Sequence, residues 1–190
     1  MGAMDVADRY RTLSAAFAAK VAAVPPGAWT EPTPCAEWDV RALVRHVVET
    51  PRMFFSLVGE EMTPCPSVDD DPVAAFACRS RQVQAALDDP VRAHTEFDGY
   101  FGRSTFVEAI DRFVCFDLVV HGWDLARATG QDERVEPAEL ERLWDAVAFL
   151  GDAIRSEGAC GPAVEPPPGA DEQGRLLAHL GRETDKESTS

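Results

Sequence analysis

This chain of 190 residues lacks several features that would place it in particular classes of protein. No apolar run approaches the roughly 20 residues that a membrane span needs, and no basic segment leads into an apolar one at the N-terminus. Lysine occurs only as Lys20 and Lys186, and the formal net charge is −15. Nucleic acids and anionic membranes bind clustered basic residues. The sequence therefore predicts a cytoplasmic protein with neither of these partners.

Cysteine is present in an odd number and without close pairs: Cys35, Cys65, Cys78, Cys115 and Cys160. The absence of a Cys-x-x-Cys pair argues against a structural zinc site built from thiolates. A disulfide framework is not expected in a cytosolic chain of this size. Because 45% of the residues are hydrophobic, the chain can build a core without one. Most of the cysteines are expected to be small buried hydrophobes.

Apolar residues recur mostly at helical spacing. Pro51 lies inside the second predicted helix and is expected to bend it, and Gly130 is expected to end the fourth as a left-handed cap. A small hairpin or ordered loop is expected around the turn signal at 97–100. This pattern predicts an all-α fold, a four-helix bundle with an additional helix packed against it. The predicted helices cover residues 6–24, 40–57, 72–87, 104–129, 137–156 and 171–180.

The domain organisation follows from these helices and from the composition at the two ends. Residues 1–4 look like a cloning remnant ahead of a native start. Residues 5–157 are predicted to form the helical bundle, which holds the metal described below. Residues 158–182 are predicted to form a short C-terminal appendage packed on the bundle. The polar residues 183–190 are predicted to be a disordered tail.

Histidine is scarce as well, and two of the four fall in the middle of predicted helices, at His46 and His121. Asp117 lies four residues before His121, so the two side chains are neighbours on one helix face. A carboxylate in such apolar surroundings is costly to bury unless something compensates its charge. A divalent metal would do so. We therefore predict one metal ion held by His46, Asp117 and His121, with a coordination position open, as in catalytic zinc sites.

Other interpretations of the same residues stay open. The histidines could be satisfied core residues, with the Asp–His pair a plain hydrogen bond. Glu49 or Asp124 could reach the same metal, or Asp124 could instead orient a ligand through a hydrogen bond. Cys35 is expected to pack at the entrance to the second helix, with a nucleophile or a fourth ligand as the alternative. Trp38 and Trp123 either line a substrate cleft or pack in the core.

Two long segments carry a resemblance to a known family: residues 29–46 (WTEPTPCAEWDVRALVRH) and residues 117–130 (DLVVHGWDLARATG). Both closely resemble the actinobacterial branch of the DinB-like, mycothiol-dependent maleylpyruvate isomerase superfamily. Residues 160–166 and 175–182 resemble the C-terminal end of that branch. The likeness covers nearly the whole chain, which nevertheless lacks the large C-terminal domain of the isomerase itself.

The resemblance implies a four-helix bundle of up-down-down-up topology. By position it assigns a metal, most simply zinc, to His46, Asp117 and His121. It also implies mycothiol as cosubstrate, with the metal holding its sulfur as thiolate, the nucleophilic form. This sequence departs from that of the isomerase in two ways. The missing domain argues against isomerisation, and Asp117 is shorter than the glutamate of the isomerase, so the metal is expected closer to this helix or less tightly held.

The expected function is a metal-dependent mycothiol S-transferase that acts on an electrophilic small molecule. Its partners would be a small-molecule thiol and that electrophile. One alternative is an isomerase, lyase or cyclase of a biosynthetic pathway that uses the metal without a thiol. Another is a noncatalytic module that binds a metal or a ligand. The oligomeric state stays open, with a homodimer as one candidate.

Overall fold

A computed structural model describes residues 5–36, 38–155 and 160–184. More than half of these residues are helical, and the sheet among them has only two strands. The predicted all-α fold is therefore confirmed. The expected remnant at residues 1–4 and most of the predicted tail lie outside the described residues.

The described residues fall into two compact units, divided between Glu133 and Arg134. The first unit contains the helices and strands that position the site, named here in chain order. They are α1 (Val6–Ala22), α2 (Val40–Glu49), α3 (Pro51–Leu57), α4 (Pro72–Leu87), α5 (Pro90–Ala93), β1 (Glu96–Gly99), β2 (Gly102–Thr105), α6 (Phe106–Ala109) and α7 (Cys115–Thr129).

Contacts at both ends of α1 show that α1 and α7 run in the same direction. Near the start of α1, Arg9 Nη1 donates a hydrogen bond to Asp111 Oδ1 at 2.7 Å, shortly before α7 begins. Near the end of α1, Lys20 Nζ donates to the carbonyl of Asp132 at 2.6 Å, shortly after α7 ends. The first and last long helices of the unit are therefore parallel.

The two middle helices run in the opposite direction. Arg11 on α1 is paired with Asp88, which follows α4, at 2.9 Å, so α4 is antiparallel to α1. Arg41 in the first turn of α2 donates to the carbonyl of Val68, shortly before α4, at 2.8 Å. Helices α2 and α4 are therefore parallel to each other. The order is up, down, down, up, which confirms the predicted topology of the four-helix bundle.

Side-chain caps fix where several of these helices begin. Asp39 accepts a hydrogen bond from the backbone N–H of Ala42 at 2.7 Å and starts α2 where the sequence predicted. Thr105 and Glu108 form a capping box at the start of α6. The helix predicted over 104–129 therefore begins at residue 106, two residues later than predicted. Hydrogen bonds from Thr105 also hold the pKa of Glu108 below its usual value.

Both predicted irregularities of the long helices are present. Pro51 separates α2 from α3, although Thr50 between them keeps helical backbone angles. Gly130 ends α7 with φ of +70°. One feature was not predicted: Ile110–Val114, between α6 and α7, is a π-helical segment. Such segments insert an extra residue per turn and are frequent near functional sites.

The predicted hairpin is present, but its turn is displaced. β1 and β2 are antiparallel, and Gly99 pairs with Gly102. The turn therefore consists of Tyr100 and Phe101, and the prediction of a turn at 97–100 was wrong. Gly102 explains the difference, because its φ of +95° is a backbone conformation that residues with a side chain rarely adopt.

One expectation about the cysteines was also wrong. Cys65 and Cys78 form a disulfide, with their sulfur atoms 2.07 Å apart. The loop before α4 folds back onto that helix, where Thr63 exchanges two hydrogen bonds with the amide of Gln82, at 2.9 and 3.2 Å. This fold-back brings together two cysteines that are 13 residues apart in the sequence. Cys115, in contrast, is a buried core residue as expected.

The second unit contains α8 (Pro137–Leu150), a 3-10 turn (Gly151–Arg155) and α9 (Glu172–His179). The rings of Trp144 on α8 and His179 on α9 are 5.4 Å apart. The predicted domain bounds of 5–157 and 158–182 stay predictions, as does the packing of the appendage on the bundle. In the part of the chain that the structure describes, no helix combines the length and apolarity needed to cross a bilayer.

Candidate metal centre

Helices α2 and α7 bring the three predicted ligands together. His46 Nε2 lies 3.2 Å from Asp117 Oδ2 across the helix pair. His121 Nε2 lies 4.0 Å from Asp117 Oδ1, as expected for residues four apart on one helix. One ligand atom from each of the three residues lies within 4.8 Å of the other two. Two imidazole nitrogens and a carboxylate oxygen are a donor set found in catalytic zinc sites.

Asp124 lies on the opposite side of the His121 ring. Its Oδ2 is 2.9 Å from His121 Nδ1, and its side chain is fully buried. An ionised carboxylate can only accept a hydrogen bond, so this contact assigns the proton to Nδ1. The lone pair of Nε2 is then directed toward the side of Asp117. This geometry supports the interpretation in which Asp124 orients a metal ligand and does not bind the metal itself.

Trp38 packs against both histidines. Its ring centroid is 4.7 Å from that of His46 and 5.8 Å from that of His121. The two imidazole rings are nearly perpendicular, with centroids 5.0 Å apart. The structure thus places Trp38 at the wall of the site, whereas Trp123 is buried in the core beneath Arg127.

The contacts of two residues, Cys35 and Thr50, were missed by sequence reasoning. Cys35 Sγ donates to Asp124 Oδ2 at 3.2 Å and lies 3.8 Å from His121 Nδ1. Thr50 Oγ1 lies 3.3 Å from His46 Nε2. The position of Thr50, four residues after His46, was a signal that could have identified it. Cys35 gave only a weaker signal, its place within the motif that precedes His46.

Cys35, His121 and Asp124 form a second group whose potential ligand atoms lie within 4.8 Å of one another. This group shares His121 with the first but uses the other ring nitrogen. Glu49, a rival ligand by sequence, is exposed and belongs to neither group among the described residues.

The two groups differ in how much of them is exposed. The side chain of His46 is 30% exposed and that of Asp117 is 21% exposed. In contrast, His121 is 9% exposed and Asp124 is 0% exposed. The group around Nε2 thus has two partly exposed residues, whereas the group around Nδ1 has one, Cys35, beside two buried ones. We call the Nε2 side the open side and the Nδ1 side the closed side, since the first is the more exposed.

These features define a class: an all-α, DinB-like bundle with a solvent-accessible His–Asp–His cluster between two of its helices. Comparison with known families is more specific. Residues 10–126, more than half of the chain, match the mycothiol maleylpyruvate isomerase N-terminal domain. The chain belongs to this family, and the matched region contains His46, Asp117, His121 and Asp124. Membership in this family relates the protein to DinB-like enzymes that are connected with mycothiol.

Similar proteins occur in Mycobacterium tuberculosis. Two uncharacterized proteins, one from strain CDC 1551 / Oshkosh and one from strain ATCC 25618 / H37Rv, are each 33% identical to this chain over 196 residues. Each alignment covers 94% of this chain and 98% of the relative. No solved structure shows significant similarity.

Proposed function

We propose that the protein is a metal-dependent mycothiol S-transferase whose divalent metal, zinc, is held by His46, Asp117 and His121. The observation that carries this proposal is the convergence of their three ligand atoms on the more exposed side of His121. A metal bound there would supply a means of keeping the sulfur of a thiol as thiolate at neutral pH. Family membership supports mycothiol as that thiol.

The donor atoms fit such an ion. Ligand atoms around a tetrahedral zinc ion stand roughly 3.3 Å apart, because each bond is about 2.0 Å long. The separations of 3.2 Å between His46 and Asp117 and 4.0 Å between His121 and Asp117 lie near this value. The third separation, between the ligand nitrogens of His46 and His121, is at most 4.8 Å.

The remaining residues prepare the cluster for binding. Asp124 accepts the Nδ1 proton of His121 and fixes the ring with Nε2 directed into the site. Thr50 donates its hydroxyl proton to the carbonyl of His46 at 2.9 Å, and the same oxygen lies 3.3 Å from His46 Nε2, beside the side chain that it helps to position. Trp38 covers the two rings and excludes water from that side. The open side next to His46 is left for the thiol and the electrophile.

The proposal is tested in two stages. The first is elemental analysis of purified wild-type protein beside Asp117→Ala, which should lose most of the bound metal. The second is titration of mycothiol into cobalt-substituted protein, where sulfur ligation should produce a new charge-transfer band in the near ultraviolet.

The results separate the three functions predicted from the sequence. A new band together with conjugation of an electrophile supports the transferase. The absence of a band at saturating thiol rejects it. In that case, turnover without thiol indicates an isomerase, lyase or cyclase, and tight ligand binding without turnover indicates a noncatalytic module.

A further inference from the structure

Exposed apolar side chains continue from the open side of the metal centre along α3. Met53 is 58% exposed and Leu57 is 41% exposed. They follow His46 by seven and eleven residues. At 3.6 residues per turn, both return to within about 20° of the direction of His46. The helical backbone of Thr50 carries this phase across the bend, so all these residues share one face.

Aromatic residues continue the same surface on the opposing helix. Phe113, in the π-helical segment before α7, precedes Asp117 by four residues and lies about one turn away. Its ring stacks on Phe54 of α3, with centroids 5.5 Å apart and planes 16° apart. Since α2–α3 and α7 run antiparallel, this pair lies beyond His46 and Asp117, toward the end of α3.

The β-hairpin closes the far end of this surface. Phe101, at the turn, stacks on Phe113 with centroids 5.9 Å apart, although 43% of its side chain remains exposed. Tyr100 beside it is 91% exposed. We name these five residues the apolar strip: Met53, Leu57, Tyr100, Phe101 and Phe113.

We propose that the apolar strip binds the apolar part of the electrophile, so that the substrates are neutral small molecules with an aromatic or aliphatic group near the reacting carbon. The inference rests on the proposed function. The strip begins near the ligand residues, because Phe113 lies about one turn from Asp117. A protein with a net charge of −15 also disfavours an anionic substrate.

The proposed reaction needs only mycothiol and the electrophile as reactants. The mycothiol thiolate attacks a carbon that carries a leaving group such as bromide. A carbon–sulfur bond forms, the carbon–bromine bond breaks, and bromide departs with the electron pair. The proton of the thiol goes to solvent.

Binding can be measured without thiol turnover. N-phenyl-1-naphthylamine is neutral and becomes fluorescent in apolar surroundings. We expect the double variant Met53→Gln, Leu57→Gln to bind this probe roughly tenfold more weakly than wild type, because each substitution replaces apolar contact area by a polar amide. The matched control is Val73→Gln, Val91→Gln. These valines are 45% and 81% exposed at the starts of α4 and α5, outside the strip. Equal losses in both double variants would overturn the proposal.

Turnover tests the substrate class with three electrophiles that share one reacting carbon: bromoacetate, bromoacetamide and N-benzyl-2-bromoacetamide. With mycothiol, kcat/KM should rise in that order. The ratio of the benzyl compound to the amide should fall about tenfold in the strip variant and should not change in the valine control. A ratio that stays at the wild-type value in the strip variant contradicts the proposal.

The two proposals can fail separately. Probe binding that depends on the strip, without any thiol conjugation, rejects the transferase and retains the strip as a ligand site. Conjugation that does not discriminate among the three electrophiles rejects the strip and retains the transferase. If the strip variant changes a dimer into a monomer and leaves probe affinity unaltered, the strip is a contact between copies of the chain and the proposal is wrong.

Discussion

The two nitrogens of His121 face different surroundings, and the difference indicates which side can do chemistry. On the Nε2 side, Asp117 is 4.0 Å away and the imidazole of His46 stands beside it. On the Nδ1 side, Asp124 is 2.9 Å away and Cys35 is 3.8 Å away. Both sides offer three potential ligand atoms, so donor types and distances alone do not separate them.

Exposure does separate the two sides. A catalytic metal needs an open position for water or substrate. His46 and Asp117 are both partly exposed, whereas on the Nδ1 side only Cys35 is, and Asp124 is completely buried and hydrogen-bonded. The open side therefore suits a metal with a substrate, and the closed side suits a support that holds His121 in place.

The largest expected effect is on conjugation by His46→Ala. At pH 7 the wild type should exceed this variant by roughly 100-fold or more, because free thiol is then mostly protonated and only the metal site keeps it as thiolate. The difference should narrow as the pH rises past about 8.5, where thiolate in solution competes. Initial rates from pH 6 to 10 measure this. A difference that stays constant over the whole range would contradict the proposed origin of the thiolate.

The next largest effect is expected on metal binding, when the two carboxylates Asp117 and Asp124 are substituted in turn. Asp117→Ala should remove most of the metal, because it deletes a ligand on the open side. Asp124→Asn should weaken metal binding by only about 10- to 100-fold, as expected for a residue that orients a ligand. Competition with a chelator gives both affinities. The reverse order would exchange the roles assigned to the two sides of His121.

A smaller effect is expected at Thr50 on the open side. Thr50→Val keeps the shape of the side chain but removes the oxygen that lies 3.3 Å from His46 Nε2. The hydrogen bond to the carbonyl of His46 is lost as well, so metal affinity should fall about fivefold. Thr50→Ser keeps the hydroxyl and should stay within about twofold of wild type. If valine and serine lowered metal affinity equally, the hydroxyl would have no part in positioning His46.

The two sides also differ in how far the sequence could predict them. Asp117 and His121 were identified because their spacing of four residues places both on one helix face, and the bend at Pro51 followed from the missing N–H of proline. The pairing of α2 with α7 followed from the metal hypothesis, which needs an imidazole from a facing helix, and the family resemblance supported it. The contact of Cys35 with Asp124 depends on the path of the loop before α2, which no periodicity describes.

The same limit applies to the rest of the fold. The helices were predicted well because apolar residues repeat at a fixed spacing along them. The turn at Tyr100 and the disulfide of Cys65 with Cys78 were missed because both depend on how a loop folds back in space. The capping box moved a helix start by two residues, since local hydrogen bonds decide where a helix begins.

The smallest effect on metal binding is expected at Cys35. Its thiol donates to Asp124 at 3.2 Å, and this contact helps to hold the carboxylate that orients His121. Cys35→Ser retains a donor and should leave metal affinity within about twofold of wild type. Cys35→Ala leaves the buried carboxylate with one donor fewer. It should reduce the free energy of unfolding by about 1–3 kcal/mol, measured by urea denaturation, and metal affinity by about threefold.

The same variants provide the sharpest test of the comparison between the two sides of His121. If Cys35 were itself a ligand, Cys35→Ala would lose its metal as completely as Asp117→Ala. The cobalt-substituted wild type would then show a sulfur-to-metal band before any thiol is added, and the band would be missing from Cys35→Ala. That result would move the metal to the closed side, around Nδ1, and reject the assignment of His46 and Asp117. A spectrum free of this band until mycothiol is added keeps the metal on the open side, with Cys35 as a support.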